Sequence, residues 1–150
     1  MSLAAELKAF SARLNEAIHF VMQTDVAEVT KKTIAEAVET EVYKPYDPEF
    51  YSRRNGMGGL KDPAAMSQNY DAATMTLEVS DTAPWQQLYG GRVPNGYLAE
   101  AVESGDPRYN MGAAGPRKFH AVSQEQMDNG EFEDTLLHGL QNMGFDVKKV

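Results

Sequence analysis

Residues 66 to 84 read MSQNYDAATMTLEVSDTAP, and this stretch decides the class of fold. Thr74, Thr76, Glu78 and Ser80 alternate with Met75, Leu77 and Val79. A period of two puts the polar set on one face of a strand and the apolar set on the other, the signature of a half-buried strand. The preceding AAMSQNY predicts its hairpin partner across the turn residues DAA, and Asp81-Thr82-Ala83-Pro84 ends the strand. A strand pair set among helices makes the fold α+β.

On the N-terminal side, residues 3 to 43 contain neither glycine nor proline. Leu3, Leu7, Phe10, Leu14, Ile18 and Val21 or Met22 recur at spacings of three and four, which places them on one helical stripe. Val26, Val29, Ile34, Val38 and Val42 continue it with a drift in phase. Asp25 and Glu28 between the two sets have capping-box spacing, so the reading is one long kinked helix or two consecutive helices, ending before Pro45. Leu7, Leu14 and Ile18 are expected to face Leu136 and Leu140 of the last helix. On the C-terminal side, Tyr97 to Glu103 predicts a short helix closed by Gly105 and Pro107. RKFHAV, residues 117 to 122, reads as a short strand or an extended lead-in. Ser123 and Gln126 form an S-x-x-Q box expected to open the next helix, which Gly130 interrupts. Phe132, Leu136, Leu137, Leu140 and Met143 mark an amphipathic final helix with Gly144 as its C′ residue.

The chain has 150 residues, which suits a single domain over 1–150. At 42% hydrophobic and 24% charged residues its composition is ordinary for a globular protein. No run of 18 apolar residues occurs, which excludes a membrane-spanning helix. The start, MSLAAELKAF, reads as helix rather than signal peptide. Without cysteine there are no disulfides or thiolate metal sites, and an intracellular or cytosol-assembled protein fits. A formal net charge of −8 argues against tight wrapping of nucleic acid, which needs many basic contacts to phosphate.

Catalytic patterns are missing. His19, His120 and His138 have no metal-ligand spacing, and GMGG at 56–59 lacks the Lys-Ser/Thr of a phosphate loop. There is no Gly-x-Ser-x-Gly elbow. The acids at Glu131, Glu133 and Asp134 suit the positive end of the last helix. The expectation is therefore a protein without enzymatic activity, cofactor or metal. Aromatic and arginine residues gather instead in segments too rich in proline and glycine to be core elements. Tyr43, Tyr46, Phe50, Tyr51, Arg53 and Arg54 lie in one, Trp85, Tyr89 and Arg92 in a second, and Tyr97, Tyr109 and Met111 in a third. Such residues dominate interface energetics. Residues 42–63 and 106–115 are read as extended interaction loops whose packing is completed by another subunit. Arg53 and Arg54 form a fork suited to carboxylates, with Glu36, Glu39 and Glu41 of a neighbouring copy as candidate partners.

Three stretches in order, GGLKDPAAM, YLAEAVESGD and GPRKFHAVSQEQ, resemble the small tail-completion or head–tail joining proteins of long-tailed bacteriophages. The matching residues are Gly59 and Leu60; Leu98, Val102, Glu103 and Gly105; and Pro116, Arg117 and Phe119. The resemblance runs over roughly residues 5 to 145. Lys118 stands where the pattern has a second proline, and DTAPWQQLYGGRVPNG, residues 81 to 96, is an insertion. It implies a virion protein of the neck, assembled in the host cytoplasm as a six-fold or twelve-fold ring between portal and tail proteins. It implies no sequence-specific contact with nucleic acid, although DNA would pass through the ring and an acidic lumen would let it slide. A tail terminator, a head-closure ring, a small adaptor or regulatory domain, and an enzyme using Asp and Glu with a divalent metal remain open alternatives.

Overall fold

A computed structural model describes residues 1–45, 58–84, 98–105 and 115–150. Helix α1 spans Leu3–Val21, with the Ser2 hydroxyl accepting from the Ala5 amide as its cap. It runs through a π-helical turn, Met22–Val26, into α2, Ala27–Val38, and a second π-turn, Glu39–Tyr43. The irregularity falls where the sequence places the break, but Asp25 makes no capping bond and the helix does not restart. Threonine supplies a physical cause. The hydroxyls of Thr24, Thr30, Thr33 and Thr40 bond the carbonyls of Phe20, Val26, Val29 and Glu36, four residues back, at 2.7–3.3 Å. Such back-bonding competes with the helical ladder and bends it.

The hairpin is present: β1, Met66–Asp71, pairs antiparallel with β2, Thr76–Asp81, with Tyr70 opposite Leu77 and Gln68 opposite Val79. Met66, Gln68, Tyr70, Leu77, Val79 and Asp81 share one face, and Ser67, Asn69, Asp71, Thr76, Glu78 and Ser80 the other. The turn is longer than expected. The Asp71 carboxylate accepts from the Ala73 amide at 2.9 Å, and Met75, expected on the strand's apolar face, takes a left-handed φ of 53° in the turn.

Three short helices complete the fold: α3, Leu98–Ser104; α4, Phe119–Gln126; and α5, Phe132–Asn142. The expected strand or lead-in at RKFHAV is corrected, because α4 begins at Phe119. Ser123 is therefore not a cap. It lies inside the helix, buried, with its hydroxyl donating to the His120 carbonyl. Between α4 and α5, Asn129 and Gly130 leave helical geometry, with Gly130 at φ 122°, as the glycine suggested. Gly144, at φ 90°, ends α5: its amide bonds Gln141 and that of Phe145 bonds Leu140, a Schellman cap.

Two apolar clusters hold these elements. The first gathers Ile34, Val38, Val42, Leu60, Met66, Ala83, Ala99, Val102 and Phe119 around α2. The second gathers Ala17, Val21, Met22, Val26, Met127 and Leu140 where α5 crosses α1, with Leu14, Ile18 and Leu136 packed against it. The hairpin touches both, through Val79 on the first and Tyr70 and Leu77 on the second. Leu14 and Ile18 thus meet Leu136 and Leu140 as expected. Leu7 does not: Leu3, Leu7 and Phe10 are 71%, 59% and 50% exposed, because α5 ends before it reaches them.

Candidate functional site

The residues that carry the resemblance converge. Leu60, Val102 and Phe119 are buried together in the first cluster, with Leu98 packed against them. Arg117 is buried too, and its amide donates to the Val102 carbonyl at 3.1 Å. Gly105, at φ 62°, lies against the backbone of Gly115 and Pro116, where a Cβ would overlap the Gly115 carbonyl carbon and the Pro116 nitrogen. Glu103 has a role that its place on α3 does not reveal. Lys118 gives α4 no side-chain cap, and the Glu103 carboxylate accepts from the His120 amide at 3.1 Å instead. One helix thus supplies the anion that another needs at its N-terminus.

The GGLKDP segment is anchored residue by residue. Leu60 enters the core, and Lys61 pairs with Glu39 at 2.8 Å. The Asp62 carboxylate accepts from the amides of Gly58 and Ala64 at 2.7 and 3.0 Å. Pro63 sits at the first position of the 3₁₀ turn that this aspartate caps.

This anchoring bears on the candidate interaction residues. Tyr43 is half-buried against the first cluster. Tyr46, Phe50, Tyr51, Arg53, Arg54, Trp85, Tyr89, Arg92 and Tyr109 lie outside the described residues, as do Tyr97 and Met111. The points from which these segments spring are described. Residues 46–57 are flanked by Tyr43 and Leu60, both on the first cluster. Residues 85–97 are flanked by Ala83 and Ala99 of the same cluster, and the Leu98 amide closes onto the Ala83 carbonyl at 2.9 Å. Residues 106–114 leave at Gly105 and return at the adjoining Gly115. The flanks of the first two aromatic-rich segments therefore meet in one patch of core, and those of the third adjoin it, where the Arg117 amide bonds the Val102 carbonyl. Sequence reading missed this because the roots are far apart along the chain and meet only through α2, α3 and α4.

Beside that patch an open cleft of about 790 Å³ lies between β2, α3 and α4, lined by Ile34, Leu77 and Val79 and by the polar side chains of Glu100, Glu103 and His120. Burial pushes the His120 pKa down from its ordinary value, opposed by Glu103, whose Oε2 is 3.9 Å from Nδ1. Across the strand pair from Leu77, His19 Nδ1 and Tyr70 Oη lie 2.6 Å apart, tying α1 to β1. Burial, then the neighbouring Asp71, holds the Tyr70 phenol above the usual range. Among the described residues no set of three or more histidine and carboxylate side chains is placed to hold a metal ion. No helix among them is long and apolar enough to cross a membrane.

No curated protein and no solved structure matches the chain. A family model does: that of the YomN family, over residues 6–142. The match runs from the first turns of α1 to the last residue of α5 and takes in both clusters and all three roots. By that extent the chain belongs to the YomN family, a phage-derived family.

Proposed function

We propose that the chain is a structural protein of the phage neck, a subunit of an oligomeric ring that joins the head connector to the tail, with no catalytic role. The observation that carries this reading is the common rooting of the three aromatic- and arginine-rich segments around the first cluster. Binding sites carried on loops need a packed scaffold at the loops' ends, and the first cluster is such a scaffold. Membership of a phage-derived family supports it. So does the burial of Leu60, Val102, Arg117 and Phe119, which belong to the stretches that resemble head–tail joining proteins.

Ring subunits contact one another through two different surfaces, and the contact repeats until it closes. The segments at 46–57, 85–97 and 106–114 supply one such surface. The acidic chain, at −8, suits a lumen through which DNA slides. Partners are further copies of the chain, a portal or adaptor protein on one side and a tail protein on the other. The particle resides in the virion after assembly in the host cytoplasm. A tail terminator or head-closure ring shares this chemistry, whereas a small adaptor or regulatory domain forms no ring. Mass measurement in solution with electron microscopy of the purified chain decides between them. A closed ring of six or twelve subunits is expected. Particles of one or two chains at every concentration, with no ring in the presence of portal or tail proteins, would falsify the neck assignment.

A further inference from the structure

Among the described residues the sheet has two strands, so β2 carries β1 on one edge and no strand on the other. Which groups point to the free edge follows from the pairing. The Thr82 amide bonds the Ala65 carbonyl at 2.7 Å, in register with the ladder. In an antiparallel pair every second residue turns both of its backbone groups to the partner strand. Thr76, Glu78 and Ser80 share the direction of Thr82, so Leu77 and Val79 turn their amides and carbonyls outward. Among the described residues nothing bonds these outward groups of Leu77 and Val79. Further along the same outward series, the Ala83 carbonyl takes the Leu98 amide at 2.9 Å where α3 begins. The free edge therefore looks towards α3, and that bond closes it only beyond its end. The edge carries no proline, lysine or bulge, the features that guard an edge against pairing.

This edge is one wall of the open cleft between β2, α3 and α4. Every residue of β2 from Thr76 to Asp81 lines the cleft, and these residues come from both faces of the strand, which puts the strand's edge at the wall. Ala99, Glu100 and Glu103 of α3 and His120 and Gln124 of α4 stand across from it, and Ile34 and Met127 add apolar surface. The described lining holds four carboxylates, those of Glu78, Asp81, Glu100 and Glu103, and no lysine or arginine.

We propose that this cleft takes an extended, basic segment of a partner protein as a third strand on β2. Each feature specifies part of that occupant. The outward amides and carbonyls call for an extended backbone, since a helix has used its own groups internally. The carboxylates select lysine or arginine. The apolar lining takes the side chains of every second residue. A segment that alternates apolar and basic residues satisfies all three. The β2 edge of a second copy is the poorer occupant. The two-fold register that uses Leu77 and Val79 of both copies sets Glu78 against Glu78, and like charges directly opposite are destabilising. The inference rests on the hairpin, α3 and α4 alone and is independent of ring closure.

The probe is the peptide acetyl-Val-Lys-Val-Lys-Val-Lys-amide, titrated into the full chain and followed by NMR shifts and amide hydrogen exchange. The Leu77 and Val79 amides are expected to exchange roughly tenfold more slowly in the complex. Those of Thr76, Glu78 and Ser80, already turned to β1, change little. Methylating one alternate set of the peptide's amides is expected to abolish binding and methylating the other set to leave it, because only every second amide of a strand faces its neighbour. Glutamate in place of lysine in the peptide, or Glu78→Lys in the chain, is expected to weaken binding roughly tenfold. Absence of binding at about 1 mM peptide overturns the proposal. Binding that leaves exchange at Leu77 and Val79 unchanged, or that both methylated peptides retain, overturns the strand addition. Equal binding of the glutamate peptide overturns the basic partner. Slowed exchange at Leu77 and Val79 in the chain alone, as its mass doubles with concentration, overturns the partner in favour of a second copy. A chain that forms no ring and still binds the peptide in the expected way upholds the inference while the ring reading fails.

Discussion

At Gly139, α5 lies directly against the end of α1. A Cβ there would lie 2.5 Å from Val21 Cγ1 and 2.8 Å from the Asp25 carboxylate. In an exposed helix, replacing glycine with alanine gains about 1 kcal/mol. Here Val21 is 1% exposed and branched, with no room to turn aside. Gly139→Ala should therefore reverse the sign and cost about 1–3 kcal/mol, read as a lower urea midpoint at unchanged slope; a stabilised variant would show that α1 and α5 separate freely. His120 carries a different signature. Its folded pKa is depressed below 6.5 by burial, so the folded chain takes up the proton at lower pH than the unfolded chain. The stability that its neutral form contributes is whole above pH 6.5 and is lost as the pH falls below it, towards the folded value. His120→Gln should flatten thermal stability across that window. A slope that survives the substitution assigns the dependence to other groups.

Elements differ in how much of themselves the chain announces. The hairpin was legible because period two can be satisfied only by a sheet face, and every residue from Thr76 to Ser80 fell on the side its polarity demanded. Its turn was less so, since Met75 is apolar and continues the alternation into a position whose left-handed backbone ends it. The start of α4 was misread because Ser-x-x-Gln also occurs inside helices. The group that caps α4 is Glu103, distant in sequence and invisible to a local pattern. α1 shows a further limit. Helical periodicity tells which side of a helix is apolar, and says nothing of where its cover stops. Leu140→Ala, in the covered half, should cost about 2–5 kcal/mol. Leu7→Ala, in the bare half, should stay within about 0.5 kcal/mol in dilute solution. Equal losses in a thermal melt of the two variants would mean that α5 covers the whole of α1.

For the whole molecule, the candidate site was legible as a set of residue types and not as a place. Tyrosine, tryptophan and arginine between prolines and glycines mark interface chemistry at any distance along the chain. That their segments share a root depends on Ala83, Ala99, Leu60 and Phe119 meeting in one cluster, which no local spacing encodes. The arginine fork is the sharpest test of the neck reading. Arg53→Ala with Arg54→Ala should leave the melting of the isolated chain nearly unchanged and impair ring formation, because exposed ion pairs contribute only about 0–1 kcal/mol yet set register between subunits. Glu39 is already held by Lys61, so a neighbour's arginines would compete with an existing pair there. Rings that form at the wild-type rate from the double variant would remove the fork from the interface.

The junction of Gly105 with Gly115 makes the stretch between them a closed detour. Its two ends touch, so its length is decoupled from the body that carries it. Loop-closure entropy grows only with the logarithm of length, at about 0.6 kcal/mol for each doubling. An epitope or a reporter domain with neighbouring termini could therefore be spliced in after Gly105 and before Gly115 with the core intact. The chain has no cysteine, so a single one placed in such an insert would also be a unique point for a dye or a gold particle.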